Sequence, residues 1–242
     1  MLKYIHGEIY RLLHKKSSYI YFGVVALGYL FLMYMRSGGF TQESIVDDAM
    51  NFFFFLPVIV GGFLFSAIYT DDLNSRNLIS LVGFGIGKTK IVVSKFILVT
   101  ILNLVVFAVI PLLHCGIFYV LGWSTDAQQW TMIYALALKF LLMTVAFSLL
   151  SGIVVYGVQR TTFAIVAYVL LAFNIVSGLL SAGLKTFAPN LTNYLISGIT
   201  DGIMLGIVEA KLPVVAIIEF LIYATIALVI SVIAFNRKEM EF

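Results

Sequence analysis

Four polar residues stand inside long apolar stretches of this 242-residue chain: His114, Lys139, Asn174 and Glu219. Counted inward from the outer ends of those stretches, His114, Lys139 and Glu219 reach a similar depth. That depth is roughly 10–13 Å at a helical rise of about 1.5 Å per residue, and Asn174 falls near the same level. An isolated Lys or Glu in hydrocarbon costs on the order of 3 kcal/mol or more, so partners or a watery cavity are expected. The expected arrangement has Lys139 and Glu219 facing the interior and interacting directly, or through His114 or water. Two roles stay open for such a pair: fixing the packing of helices, or holding a bound molecule.

Other chemistry is poorly supplied. The run Gly83-Phe84-Gly85-Ile86-Gly87-Lys88-Thr89 has the look of a phosphate-binding loop. That loop needs four residues between its first glycine and the Gly-Lys pair, and here there are three, with Val82 where the glycine should stand. No strand is expected before it, so no nucleotide or other cofactor site is expected in this chain. His6 and His14 belong to an amphipathic segment, and His114 has no Asp or Ser at a spacing that marks a triad. Zinc-type signatures are absent, so catalytic and metal sites are not expected. Cys115 is the single cysteine, which rules out an intrachain disulfide.

The elements that carry these residues are six apolar stretches at 17–35, 51–69, 96–122, 131–156, 163–183 and 212–235. A hydrocarbon core of about 30 Å takes roughly 20 apolar residues as a helix. With 62% hydrophobic and 11% charged residues there is no composition for a soluble surface. Backbone groups in lipid must be satisfied within each segment, and the short alternating segments of a barrel are missing. The expectation is an all-α polytopic membrane protein: one membrane domain over residues 1–242, with six transmembrane helices. Residues 1–16 place Leu2, Ile5, Ile9, Leu12 and Leu13 on one helical face and Lys3, Arg11, His14 and Lys15 opposite, the pattern of an interfacial helix.

Basic residues orient the chain. With the N-terminus inside, eleven Lys and Arg are cytoplasmic, three (Arg36, Lys185, Lys211) are outside, and Lys139 lies within a span. That bias puts both termini in the cytoplasm of a plasma membrane. The net charge of +3 then answers to anionic membrane lipid rather than nucleic acid. Asp47 is placed to cap the second span, and Pro57 to kink it. The connection 70–95 is the longest cytoplasmic one. The outer segment 184–211 is long and apolar yet interrupted by Pro189, Gly198, Asp201, Gly202, Gly206 and Glu209. Two half-buried helices, a broken outer hairpin between spans five and six, fit it better than a seventh span.

The whole layout resembles the permease subunit of an ABC type-2 exporter. The most specific part is the first cytoplasmic loop: Asp71 and Asp72 supply the acid that ends span two, and Leu78, Ile79, Leu81 and Val82 the apolar stretch. Gly85-Ile86-Gly87-Lys88 stands for the Pro-hydrophobic-Ser-Arg element, and Lys95 opens span three. Gly85 replaces the usual proline and Gly87 the usual serine.

The resemblance implies a pathway of two permeases, with a second copy of this chain or a paralogue, above two ATPase subunits that bind ATP and Mg²⁺. Coupling would run through Asp72, Arg76, Leu78, Ile79, Leu81 and Lys88; the alternative is a membrane-surface helix held by Lys88 and Lys90. Permeases of this size resemble those of bacterial lantibiotic-immunity, bacitracin-resistance and toxin-peptide exporters, which implies a hydrophobic or amphipathic peptide as cargo. The alternatives are a drug or lipid exporter, or a non-pumping immunity or assembly factor.

Overall fold

The computed structural model describes residues 2–36, 41, 44–70, 73 and 77–237. Every regular element among the described residues is helical. Helix α1 (Leu2–Leu13) precedes α2 (Lys16–Arg36) and α3 (Ser44–Tyr69). A short α4 (Asn77–Gly83) leads to α5 (Lys88–Val120) and α6 (Ala127–Val158). Then come α7 (Thr161–Ala172), α8 (Ile175–Phe187), a 3₁₀ turn (Pro189–Tyr194), α9 (Ile196–Val208) and α10 (Val214–Arg237). Helices α2, α3, α5, α6 and α10 are each long and apolar enough to cross a membrane, and α7 with α8 forms a sixth span bent by 54°.

Helix α6 is the axis of the bundle, packed against α10, α9, α7, α5 and α3. Its polar side chains are handled locally: the hydroxyls of Thr144 and Ser148 donate to carbonyls one turn back, at 2.7 and 2.9 Å. Its start is fixed by a capping box, in which Asp126 Oδ1 accepts from the Gln129 amide at 2.7 Å and Gln129 Oε1 accepts from the Asp126 amide at 3.1 Å. Helices α2 and α10 instead leave most of their apolar surface exposed, as lipid- or partner-facing helices do.

Pro57 does not break α3. The missing N–H is absorbed by a π-helical turn over Pro57–Gly61, and the helix runs on to Tyr69. Tyrosine hydroxyls supply donors to this widened turn: Tyr168 of α7 donates to the Pro57 carbonyl at 2.8 Å, and Tyr21 of α2 to the Ile59 carbonyl at 2.5 Å. Gly61 makes the approach of α7 possible. A Cβ there would stand 2.5 Å from Thr144 Cγ2 and closer still to Tyr168 Oη.

One expectation is corrected by the packing, and one break is added. The outer segment between spans five and six is interrupted as expected, by the 3₁₀ turn ahead of α9, and span five is itself bent where Asn174 adopts left-handed backbone (φ 57°) between α7 and α8. Asparagine tolerates that conformation better than most residues, which is why the bend sits there. Lys95, expected at a helix entrance, lies within α5 and is only 1% exposed. Its Nζ donates to Glu8 Oε2 at 3.1 Å and to the Ile68 carbonyl at 3.2 Å. Arg11 joins the same carboxylate at 2.8 Å and reaches the Ala67 carbonyl at 3.1 Å. Helix α1 is thereby fastened to the end of α3 and the beginning of α5.

Candidate functional site

The four intramembrane polar residues do not form one cluster. Lys139 points from α6 toward α9, where its Nζ lies 2.6 Å from Asp201 Oδ1, so its carboxylate partner is Asp201 and not the expected Glu219. The same Nζ sits 5.3 Å from the centre of the Phe140 ring. Glu219 is half-buried on α10, and no ion pair joins it to Lys139. The physical reason is the path of the outer segment. A single α9 folds back along α6 and brings Asp201 to Lys139 before α10 begins.

Asn174 does join Lys139. Both line a cavity of about 310 Å³ that also takes in Asp201, Ser197 and Asn51, with a wall that includes Phe54 and Phe140. Three spans and α9 contribute to it: Asn51 and Phe54 from α3, Lys139 and Phe140 from α6, Asn174 from the break in span five. Asn174 Oδ1 is buried with no hydrogen-bond donor. Irregular backbone at membrane depth is tolerated where it lines such a cavity, which gives the α7–α8 break its physical setting.

His114 belongs to a separate site between α2, α3 and α5. Its Nδ1 is hydrogen-bonded to the Tyr29 hydroxyl, and its Nε2 lies 2.9 Å from the Ile45 carbonyl. With Nε2 protonated and donating to that carbonyl, Nδ1 is the acceptor for Tyr29, so a neutral imidazole satisfies all three groups. Phe53 and Phe118 pack around the ring. Nearby, Arg36 at the end of α2 lies 2.6 Å from the buried Asp48, which draws the first turns of α3 toward α2. Asp47, by contrast, is exposed, and the α3 start is capped by reciprocal bonds between Thr41 and Ser44.

The loop between spans two and three has a different surface from the one expected. Asp72 and Arg76 lie outside the described residues. Leu78 is buried, and Leu81 and Val82 pack against the core, while Ile79 is half-buried. Phe84, which the sequence reading did not single out, is 84% exposed at the tip. Lys88 turns back toward α10, 5.6 Å from the Phe235 ring centre and 3.5 Å from the Asn236 carbonyl. The glycines of the phosphate-loop look-alike close α4. Gly85 has φ of 80°, its N–H donates to Val82, and the Ile86 N–H donates to Leu81 at 3.1 Å, a Schellman arrangement.

The bundle thus combines a bent fifth span, an interhelical cavity and an exposed aromatic at a loop tip. A family model described as an ABC-2 family transporter protein matches residues 4–173, which is 170 of the 242 residues. The chain belongs to the ABC-2 transporter family. It is an integral membrane permease of the kind that works with a separate ATPase subunit. The matched region ends at Phe173, at the break before Asn174, so Asp201 and Glu219 lie beyond it. No curated protein and no solved structure matches the chain.

Sequence reasoning placed Lys139 and Asn174 at one depth but missed Asp201, Asn51 and Ser197. A signal for Asp201 was present: it is an acid in an apolar segment, eight residues before the exposed end of that segment at Glu209. Glu8 was equally legible as the lone acid on the apolar face of α1, between Ile5 and Leu12.

Proposed function

We propose that this ABC-2 permease exports a hydrophobic or amphipathic peptide across, or out of, a bacterial plasma membrane. Two copies of the chain, or this chain and a paralogue, enclose the pathway. Two ATPase subunits bind ATP and Mg²⁺ below, and both termini face the cytoplasm with them. The observation that carries the reading is the cavity at the α7–α8 break, where a charged pair and unpaired amides meet an aromatic wall. Amphipathic cargo needs both kinds of surface in one place. Lantibiotic-immunity and toxin-peptide exporters are the subgroups whose cargo this chemistry suits.

Coupling is assigned to α4 and the tip beyond it. Leu78 and Leu81 hold α4 to the bundle, which leaves Phe84 free to enter a groove of the ATPase. Asp72 and Arg76 at the loop's start extend the contact, and Lys88 ties its far side to α10. A lipid or drug exporter is the second reading. It draws on an almost entirely apolar crevice of about 540 Å³ between α2, α3 and α5, bordered by Val25, Phe52, Val109 and Leu113.

The test is copurification of the permease with its ATPase, followed by ATP hydrolysis in lipid nanodiscs. Hydrolysis stimulated by an amphipathic peptide supports peptide export. Stimulation by lipid alone favours the second reading. An assembly that binds peptide without any change in hydrolysis is a non-pumping immunity factor, and the export reading falls.

A further inference from the structure

The cavity between α3, α6, α9 and the α7–α8 break exposes its carboxylate more than its cation. Its one cation, Lys139, has a side chain only 14% exposed and already engaged, whereas the Asp201 side chain is 46% exposed. A carboxylate accepts about four hydrogen bonds, and Lys139 supplies one of them to Asp201. Asn174 Oδ1 is a buried acceptor with no donor among the described residues. No hydrogen bond to another protein group engages the side chains of Asn51 or Ser197 among the described residues. Of the neutral Lys139–Asp201 pair, the carboxylate is therefore the more accessible member to an entering molecule, and Asn174 Oδ1 adds a second acceptor oxygen.

The remaining surface is apolar and aromatic. Phe54 and Phe140 meet edge to face, with ring centres 6.5 Å apart. Phenyl faces attract cations, and Lys139 already uses one in this way. A volume of about 310 Å³ equals roughly ten water molecules at about 30 Å³ each. That is room for one cationic group on an alkyl stem, not for a folded peptide.

We propose that this cavity binds a primary ammonium or guanidinium group borne on an apolar body. Asp201 is its counter-ion, Asn174 its second acceptor, and Phe54 and Phe140 the wall against which the stem lies. Lys139 aims the Asp201 carboxylate when the cavity is empty, and shares it when it is filled. This names the cargo chemistry and rests on the export reading above. Binding and pumping are separable, because the permease alone is enough for the first.

The probe is a dodecylammonium bearing a photoactivatable diazirine, applied to the full chain in nanodiscs of neutral lipid. The same diazirine on dodecanol and on dodecyltrimethylammonium serves for comparison. Mass spectrometry of cross-linked peptides should show saturable labelling around residues 50–54, 139–143 and 197–201 with the ammonium. The alcohol, and the quaternary amine that lacks N–H donors, should label weakly. Asp201→Asn should weaken half-saturation about tenfold, as loss of a charged hydrogen bond does. Asp201→Glu should retain binding, and Glu219→Gln should leave it unchanged.

Since Asp201→Asn strips Lys139 of its partner, Asn174→Ala, which leaves the ion pair intact, is the second variant; it should weaken binding about threefold. Competition by a lysine-bearing amphipathic peptide identifies peptide cargo, and competition by alkylamines alone identifies a small amine. Equal labelling by the alcohol, or half-saturation unmoved in both Asp201→Asn and Asn174→Ala, overturns the site. Saturable labelling without any stimulation of the ATPase overturns the export reading and leaves the site standing.

Discussion

Replacing Lys95 with methionine tests whether α1 is fastened as the structure describes. Methionine keeps nearly the same stem, so the change removes charge and hydrogen bonds while opening little space. The bonds to Glu8 Oε2 and to the Ile68 carbonyl are lost. Removing one partner of a buried pair costs about 3–5 kcal/mol when the other charge is stranded. Here Glu8 keeps Arg11 at 2.8 Å, so we expect about 2–3 kcal/mol, below that range. Glu8→Gln leaves Lys95 with an ammonium buried among carbonyls, for a loss of about 3 kcal/mol. The double variant Glu8→Gln/Lys95→Met removes both buried charges, leaves Arg11 on the Ala67 carbonyl, and should cost about 1–2 kcal/mol less than the sum of the single changes. Reversible unfolding by SDS in mixed micelles, followed by the fluorescence of Trp123 and Trp130, measures all three. A loss under about 0.5 kcal/mol for Lys95→Met, with additive single changes, would refute the buried network.

Three further outcomes follow from other contacts. Gly61→Ala forces a methyl group into Tyr168 and Thr144 and should destabilise by about 1–3 kcal/mol; adding Tyr168→Phe should recover part of that in the same SDS titration. Phe84→Ser should abolish copurification of the ATPase without altering the unfolding curve, because the side chain is exposed and not packed into the bundle. At the far end of α9, the hydrogen bond from Lys211, 2.8 Å away, holds the Glu209 carboxyl below its ordinary value and raises the Lys211 ammonium. The pair therefore persists above the ordinary carboxylate value and is lost as pH falls through the lowered one, which carbon NMR of labelled glutamate should record.

Helix number and placement were legible because hydrocarbon imposes length and composition on each span independently of its neighbours. The loop residues Leu78 to Val82 were legible as an apolar set, but not which of them face inward. That depends on the bundle behind α4, and it left Phe84 unnoticed. The break at Asn174 carried no signal of the usual kind, since neither glycine nor proline marks it; a left-handed asparagine is a tertiary choice. Depth alone grouped His114, Lys139, Asn174 and Glu219, yet depth says nothing of azimuth around the bundle. His114 turned toward Tyr29 and Lys139 toward Asp201, on opposite sides of α3. Polar partners in a membrane bundle are set by rotation of each helix about its axis, and one sequence without its neighbours leaves that angle free.

The fastening of α1 also constrains the order of events during synthesis. Glu8 leaves the ribosome 87 residues ahead of Lys95, an interval of roughly 4–17 s at about 5–20 residues per second. Throughout that interval Arg11, one turn along the same helix, is the cation at hand for Glu8. An amphipathic α1 can rest at the bilayer surface in this self-compensated form while α2 and α3 insert. The arrival of α5 then closes the bridge, so docking of the N-terminal helix marks the moment at which the first three spans have assembled.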